Sequence, residues 1–77
     1  MNSNDELLSA VGKAIRDLRK AQKISQLDLS CMVGMGSHHL CDLENGKINV
    51  GILNLSKICD ALNISLVDFF TYLSTNQ

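Results

Sequence analysis

A chain of 77 residues, 45% of them hydrophobic, can form one small core and leaves little room for an enclosed active site. Its net charge of −1 excludes the uniformly basic surface that many nucleic-acid-binding proteins have. The charge is uneven, because five of the seven Lys and Arg residues lie within residues 1–23. Any anionic partner must therefore be bound by a local patch.

The cysteines and the hydropathy of the chain indicate the cellular compartment in which the protein is expected. Cys31, Cys41 and Cys59 are odd in number and form no CxxC pair, and the sequence shows neither a signal-peptide pattern nor an apolar run of about 18 residues. These features predict a reduced, soluble, cytoplasmic protein without a membrane span. We expect one domain over residues 1–77, with its core from about residue 7 to residue 73.

The first predicted element is an amphipathic helix from about Asp5 to Gln22. Its apolar positions follow helical spacing and show no strand alternation, and they are Leu7, Leu8, Val11, Ile15 and Leu18.

Two short helices are expected next. Ser25, with Asp28 three residues later, has the spacing of a helix-start cap, so a second helix should cover about residues 26–33 and end at Gly34. A third helix should follow Gly36, run to Asn45-Gly46 and bury Leu40 and Leu43.

The last two helices complete an all-α prediction. In the fourth helix the apolar face comprises Ile52, Leu55, Ile58, Cys59 and Leu62, and Asn63 suits its end. Ser65 and Asp68 repeat the cap spacing before a fifth helix, whose apolar residues are Leu66, Phe69, Phe70 and Leu73. Five short helices with short connections predict a compact all-α bundle.

Several segments together carry a resemblance to a known family. The stretches LRKAQKISQLDL, DLENGK and ICDALNISL, with a glycine-containing turn between the second and third helices, resemble the helix-turn-helix domain of phage-repressor and Xre-like transcriptional regulators. The resemblance covers about four-fifths of the chain and implies a five-helix lambda-repressor-like fold, with the helix-turn-helix at about residues 25–45. The chain length is also close to that of the restriction–modification controller proteins of this family.

The resemblance implies a role for the third helix, which in such domains faces base edges in the major groove of DNA. It places Gly36 at the start of this recognition helix, and the implied base contacts are Ser37, His38, Cys41 and Asp42. The helix departs from the family pattern, because it contains no Arg, Lys or Gln and has an acidic group at Asp42. That carboxylate would repel phosphate but can accept a hydrogen bond from cytosine.

Other residues are implied to bind the DNA backbone or to hold the fold. The implied phosphate contacts are Gln26, His39, Asn45, Lys47 and Asn49. Gln26 is also expected to brace the recognition helix, although it could be only an exposed amide, and Lys47 could be a solvated charge at a helix end. The resemblance further implies a structural ion pair between Arg19 and Glu44. The other basic residues of the first helix could be its solvated face.

The histidines and cysteines also allow other readings. A zinc site using His38 or His39 with Cys41 and Cys31 has no recognisable spacing and no evident fourth ligand, and a Cys/His nucleophile would need a cleft and an orienting group. We therefore expect no metal, no cofactor and no enzymatic activity. Cys31 and Cys59 are expected to fill the core, which leaves Cys41 as the exposed cysteine.

Apolar residues near the end of the chain exceed what a bundle of this size can cover. The predicted homodimer interface comprises Leu53, Val67, Phe70, Tyr72 and Leu73. The sequence thus predicts a dimeric transcriptional regulator, with repressor as the family-based expectation, that binds a pseudo-palindromic site on double-stranded DNA. The alternative is an antitoxin-type or adaptor helix-turn-helix module whose main partner is a protein.

Overall fold

The computed structural model describes residues 3–75, and within that range the chain forms five α-helices and no β-strand. Their bounds are α1 Ser3–Ala21, α2 Gln26–Val33, α3 Ser37–Glu44, α4 Ile52–Ala61 and α5 Leu66–Thr75. The all-α, five-helix prediction is confirmed. Residues 1–2 and 76–77, which the predicted domain includes, lie outside the described residues.

Local capping interactions determine where the short helices begin and end. The Ser25 hydroxyl accepts the backbone N–H of Asp28 at 2.9 Å, and the Ser65 hydroxyl accepts that of Asp68 at the same distance. Gly34 ends α2 with φ of 70°, and Asn63 follows α4 with φ of 60°. These four predicted signals are confirmed, because each depends only on residues close in sequence.

All five helices contribute to one hydrophobic core. The fully buried large side chains include Ile15 from α1, Leu29 from α2, Leu40 from α3, Ile58 from α4 and Phe69 from α5. α1 packs against α3 and α5, while α2 packs against α3 and α4. The third helix is therefore held between α1 and α2, with Leu40 and Leu43 directed inward.

Three predicted core residues are exposed. Leu7 and Ile52 follow the apolar spacing of α1 and α4, but both lie near the N-terminal ends of their helices and remain more than half exposed. Cys31 is also exposed, because α2 buries Leu29 and Ser30 and residue 31 lies on the opposite side of a helix with 3.6 residues per turn. The expectation that Cys41 is the exposed cysteine is therefore wrong: Cys41 is half-buried, and Cys31 is the exposed one.

None of the helices in residues 3–75 combines the length and the apolar character that crossing a bilayer requires.

Candidate nucleic-acid interface

The turn between α2 and α3 sets the orientation of α3 relative to α2. Gly34 is left-handed, and the backbone N–H of Met35 donates to the Ser30 carbonyl at 2.9 Å, which closes the end of α2. Gly36 then has an extended conformation, with φ of −66° and ψ of 145°, and α3 begins at the next residue. Since Leu40 and Leu43 are buried, the opposite side of α3 faces solvent.

The solvent-facing side of α3 carries short polar groups. Ser37, His38 and His39 are exposed, whereas Cys41 and Asp42 are half-buried. His38 Nε2 lies 3.7 Å from the Asp42 carboxylate one turn later, so the two form an ion pair when the imidazole is protonated. The face offers hydroxyl, imidazole, thiol and carboxylate groups, which together can donate and accept hydrogen bonds.

A buried polar cluster holds the end of α3 against α1. Arg19 Nε donates to Glu44 Oε2 at 2.7 Å, and Arg19 Nη2 donates to Glu44 Oε1 at 2.9 Å. The hydrogen bonds to Glu44 raise the pKa of Arg19 above its ordinary value, so the guanidinium stays charged. Its Nη1 also donates to the Ile24 carbonyl at 2.9 Å, which ties the connection before α2 into the same cluster.

Gln26 joins this cluster from the first position of α2. Its Nε2 donates to Glu44 Oε1 at 3.1 Å, and the side chain is half-buried. The amide therefore links the start of α2 to the last residue of α3, which agrees with the bracing role expected of it. One Nε2 hydrogen remains available to a second acceptor.

Residues after α3 form an exposed polar loop. Asn45, Lys47 and Asn49 are all exposed, and the Lys47 ammonium has no hydrogen-bond or ion-pair partner within residues 3–75. The Asn45 amide donates to Cys41 Sγ at 3.5 Å, and Asn49 Oδ1 accepts the Gly51 backbone N–H at 3.1 Å. The loop thus places one unpaired cation beside the exposed side of α3.

The predicted dimer interface is only partly exposed. Leu53 is 77% exposed, Val67 74% and Phe70 44%, and Val67 and Phe70 line one shallow groove on α5. Leu73, however, is only 8% exposed, because it packs into the core of the monomer, so its assignment to the interface is wrong. Tyr72 is half-buried, and its hydroxyl donates to Asp17 at 3.4 Å, which ties α5 to α1.

The alternative metal site would need several ligating side chains close together. Within residues 3–75, no three His, Cys, Asp or Glu side chains lie close enough together to hold a metal ion. His38 and Cys41 lie on α3, whereas Cys31 lies on α2.

The sequence assigns the remaining basic residues of the first helix no role beyond that of a solvated face. A groove between α1 and the end of α3 is lined by Lys13, Arg16 and Lys20 together with Asn45. The spacing of these basic residues along α1, three and four positions apart, indicates that they share one face. Only the packing of α1 against α3 shows that this face adjoins the predicted phosphate contact Asn45.

Comparison with known proteins adds the family. The helix-turn-helix family matches residues 15–69 of the chain. Antitoxin PezA of Streptococcus pneumoniae is 36% identical over 58 residues, which are 75% of this chain and 37% of PezA, so the chain spans little more than a third of that relative. Control protein C.MunI of a Mycoplasma species is 33% identical over 61 residues, which cover 78% of this chain and 82% of that protein.

A solved structure provides the spatial match. The restriction-modification controller protein C.Esp1396I, crystallised as a tetramer in complex with its natural 35 base-pair operator, superimposes with a TM-score of 0.84 and 29% sequence identity. The superposition covers 90% of this chain and 91% of the controller protein. The chain therefore belongs to the helix-turn-helix family, and its resemblance to phage-repressor and Xre-like regulators is confirmed.

Proposed function

We propose that the protein is a sequence-specific DNA-binding transcription regulator that binds a pseudo-palindromic operator as a homodimer. The observation that carries this proposal is the way α3 is held in the fold. Arg19 and Gln26 both bond to its last residue, Glu44, and the side of α3 that faces away from the core is open to solvent. A rigidly held helix with an exposed polar face is the arrangement with which helix-turn-helix domains enter the major groove.

The exposed face of α3 supplies the proposed base contacts. Ser37 can donate to or accept from any base edge, and His38 can donate to the acceptors of guanine. Asp42 can accept from the exocyclic amine of cytosine, and Cys41, half-buried beside it, offers a polarisable contact surface. These groups select sequence rather than supply affinity, because none of them carries a permanent positive charge.

Backbone contacts must then supply most of the affinity. Gln26 and His39 are proposed to meet phosphates at the starts of α2 and α3, and Asn45, Lys47 and Asn49 to meet them along the loop after α3. Lys47 is the one cation in this set, and the electrostatic part of DNA affinity grows with the number of phosphates that are neutralised. A single subunit should therefore bind weakly.

Dimerisation offsets this weakness. Two subunits related by a two-fold axis would place their α3 helices about 34 Å apart, on one face of the DNA, and would double the number of backbone contacts. The exposed Leu53, Val67 and Phe70 are the proposed contact surface. The natural operator complex of C.Esp1396I, a tetramer, supports an assembly of more than one subunit.

The same reading assigns no catalytic role to His38, His39 or Cys41, and we propose that the protein is not an enzyme. DNA binding also requires the compartment that contains the DNA, so we propose a cytoplasmic location.

Fluorescence anisotropy on the DNA upstream of the protein's own gene tests the proposal. The wild-type protein should bind a duplex within this region at least about 1000-fold more tightly than a random duplex of equal length, and a footprint should show two half-sites one helical turn apart. Equal affinity for the upstream and random duplexes at several salt concentrations would contradict sequence-specific binding.

A protein partner is the second candidate function. It is favoured by the likeness to antitoxin PezA and by an α3 that lacks Lys and Arg. If this function were the main one, the product of the neighbouring gene should co-purify with the protein in fixed stoichiometry while binding to upstream DNA shows no preference. Strong operator preference without a co-purifying product would exclude it.

A further inference from the structure

An open groove of about 420 Å³ runs along the solvent side of α1 to the end of α3. We call it the α1 groove, and its lining comprises Ser9, Lys13, Arg16, Asp17 and Lys20 from α1, with Glu44 and Asn45 at the end of α3. Its polar surface and open shape suit an extended charged chain better than a small molecule, which would need enclosing walls.

Two cations of the α1 groove are not held in a salt bridge. Lys13 is paired with Asp17 at 2.8 Å, and the carboxylate of Glu44 is already occupied by Arg19. Arg16 and Lys20, four positions apart on the same helix face, have no hydrogen bond or ion pair within residues 3–75. The hydrogen bond from Lys13 lowers the pKa of the Asp17 carboxyl, and Arg16 adds to this lowering through its charge alone. The groove therefore presents two positive charges that no salt bridge occupies, in a protein whose net charge is −1.

The backbone of α1 fixes this groove beside the recognition helix. A Cβ added to Gly12 would lie 2.3 Å from the Leu43 carbonyl oxygen, and one added to Gly46 would lie 2.8 Å from Ser9 Cα. Only glycine permits such close approaches of two backbones. The end of α3 and the loop after it thus lie directly on α1, and Asn45 belongs both to the α1 groove and to the proposed set of phosphate contacts.

We propose that the α1 groove binds the DNA backbone that flanks the segment read by α3, with Arg16 and Lys20 as its phosphate contacts. This inference rests on the proposed function. Charge complementarity supports it, since α3 contains no Lys or Arg and the loop after α3 contributes Lys47 alone. Continuity with Asn45 supports it as well, because a strand that passes Asn45 reaches the groove without leaving the protein surface.

The salt dependence of operator binding tests the inference. The double variant Arg16→Gln/Lys20→Gln removes both charges and keeps helix-compatible side chains. The plot of log affinity against log salt concentration should become shallower by about two for each bound subunit in the double variant. An unchanged slope in the double variant would overturn the inference.

Duplex length gives a second, independent readout. Shortening the duplex at its outer ends should weaken wild-type binding and leave the double variant nearly unaffected, because the flanking phosphates are then missing. If shortening affected both proteins equally, the groove would not contact flanking DNA. The single variant Lys20→Gln, at an exposed position of the groove, repeats the test if the double variant does not fold.

The results also separate this inference from the proposed function. If the wild-type protein bound no operator, both would fail. If it bound the operator and the double variant kept the wild-type slope, only the α1 groove inference would fail. Inorganic pyrophosphate provides the remaining arm: stabilisation of the wild type but not of the double variant, combined with equal DNA slopes, would identify a small anion as the ligand and overturn DNA binding by the groove.

Discussion

Arg19 and Glu44 form a two-point ion pair, with hydrogen bonds of 2.7 and 2.9 Å, between the last turn of α1 and the last residue of α3. The Arg19 side chain is 8% exposed and that of Glu44 is 2% exposed. A charge in such a position is stable only with its partner, so the pair makes the orientation of α3 depend on α1.

Removing one member of this pair should destabilise the fold. Glu44→Ala leaves the Arg19 guanidinium buried without its counter-charge, and we expect the free energy of unfolding to fall by roughly 3 kcal/mol. Urea denaturation measures this value directly. The double variant Arg19→Met/Glu44→Leu, which buries no charge, should lose less than Glu44→Ala alone. A melting temperature of Glu44→Ala equal to that of the wild type would refute the structural role of the pair.

Gly12 provides a test of how closely α1 and α3 approach. A Cβ at this position would also lie 2.7 Å from the Glu44 carbonyl oxygen, so Gly12→Ala must push the two backbones apart. We expect the free energy of unfolding to fall by about 1–3 kcal/mol. At Gly36 an added Cβ meets nothing within 4 Å, which makes Gly36→Ser the matched control. Thermal unfolding should show a large drop for Gly12→Ala and little change or a small gain for Gly36→Ser. Similar melting temperatures for both variants would contradict the close packing.

The sequence predicted the features that depend on neighbouring residues. Caps such as Ser25 and the ends at Gly34 and Asn63 arise within one helical turn, and the apolar spacing specified which side of each helix faces the core. The apolar periodicity does not show how much of each helix the other helices cover. Leu7 and Ile52 continue an apolar stripe but lie beyond the part of the helix that other elements cover.

Part of the candidate site could likewise be predicted from the sequence, and part could not. The exposed face of α3 and the Arg19–Glu44 pair follow from motif residues at family spacing, so both were accessible to sequence reasoning. The α1 groove was not, because it depends on the contacts of Gly12 and Gly46 with residues 31 to 37 positions away in the chain. The status of Leu73 likewise depends on how much of α5 the rest of the bundle covers.

The three cysteines should differ in reactivity. Burial raises the pKa of the Cys59 thiol, and the nearby charge of Asp60 adds to the effect, so little thiolate forms at an almost fully buried site. Cys31 is exposed and should react first with a disulfide reagent such as DTNB, whereas Cys59 should react only on unfolding. Mass mapping of the labelled peptides assigns each site, and Cys31→Ser is the control. Labelling of Cys59 in the native protein as fast as that of Cys31 would contradict the burial of this thiol.

Backbone and base contacts should respond differently to substitution. Lys47 is exposed and unpaired, so Lys47→Ala should weaken binding to operator and random DNA alike and reduce the salt slope by about one per subunit. The His38 side chain is 93% exposed on α3, and His38→Ala should weaken operator binding by roughly 1–3 kcal/mol more than random binding. Ser37→Ala should behave as His38→Ala does. The same ratio of operator to random affinity in the His38 and Lys47 variants would show that α3 does not read bases.

Dimerisation through the exposed residues of α4 and α5 gives the last prediction. Leu53 on α4 and Val67 on α5 are each about three-quarters exposed, and Phe70 lies beside Val67 in the α5 groove. Burying a few hundred Å² of this surface contributes several kcal/mol at about 25 cal/mol per Å², against which the entropy of association must be set, so we expect a dissociation constant in the micromolar range. Because Leu73 belongs to the core of the monomer and Tyr72 is half-buried with its hydroxyl hydrogen-bonded to Asp17, these three side chains form the most exposed part of the proposed interface. In sedimentation at tens of micromolar the wild type should be dimeric and Leu53→Asp and Val67→Asp monomeric, whereas Leu27→Asp, at an equally apolar exposed position on α2, should remain dimeric. A monomeric wild type, or dimers that persist in both the Leu53 and Val67 variants, would rule out this interface.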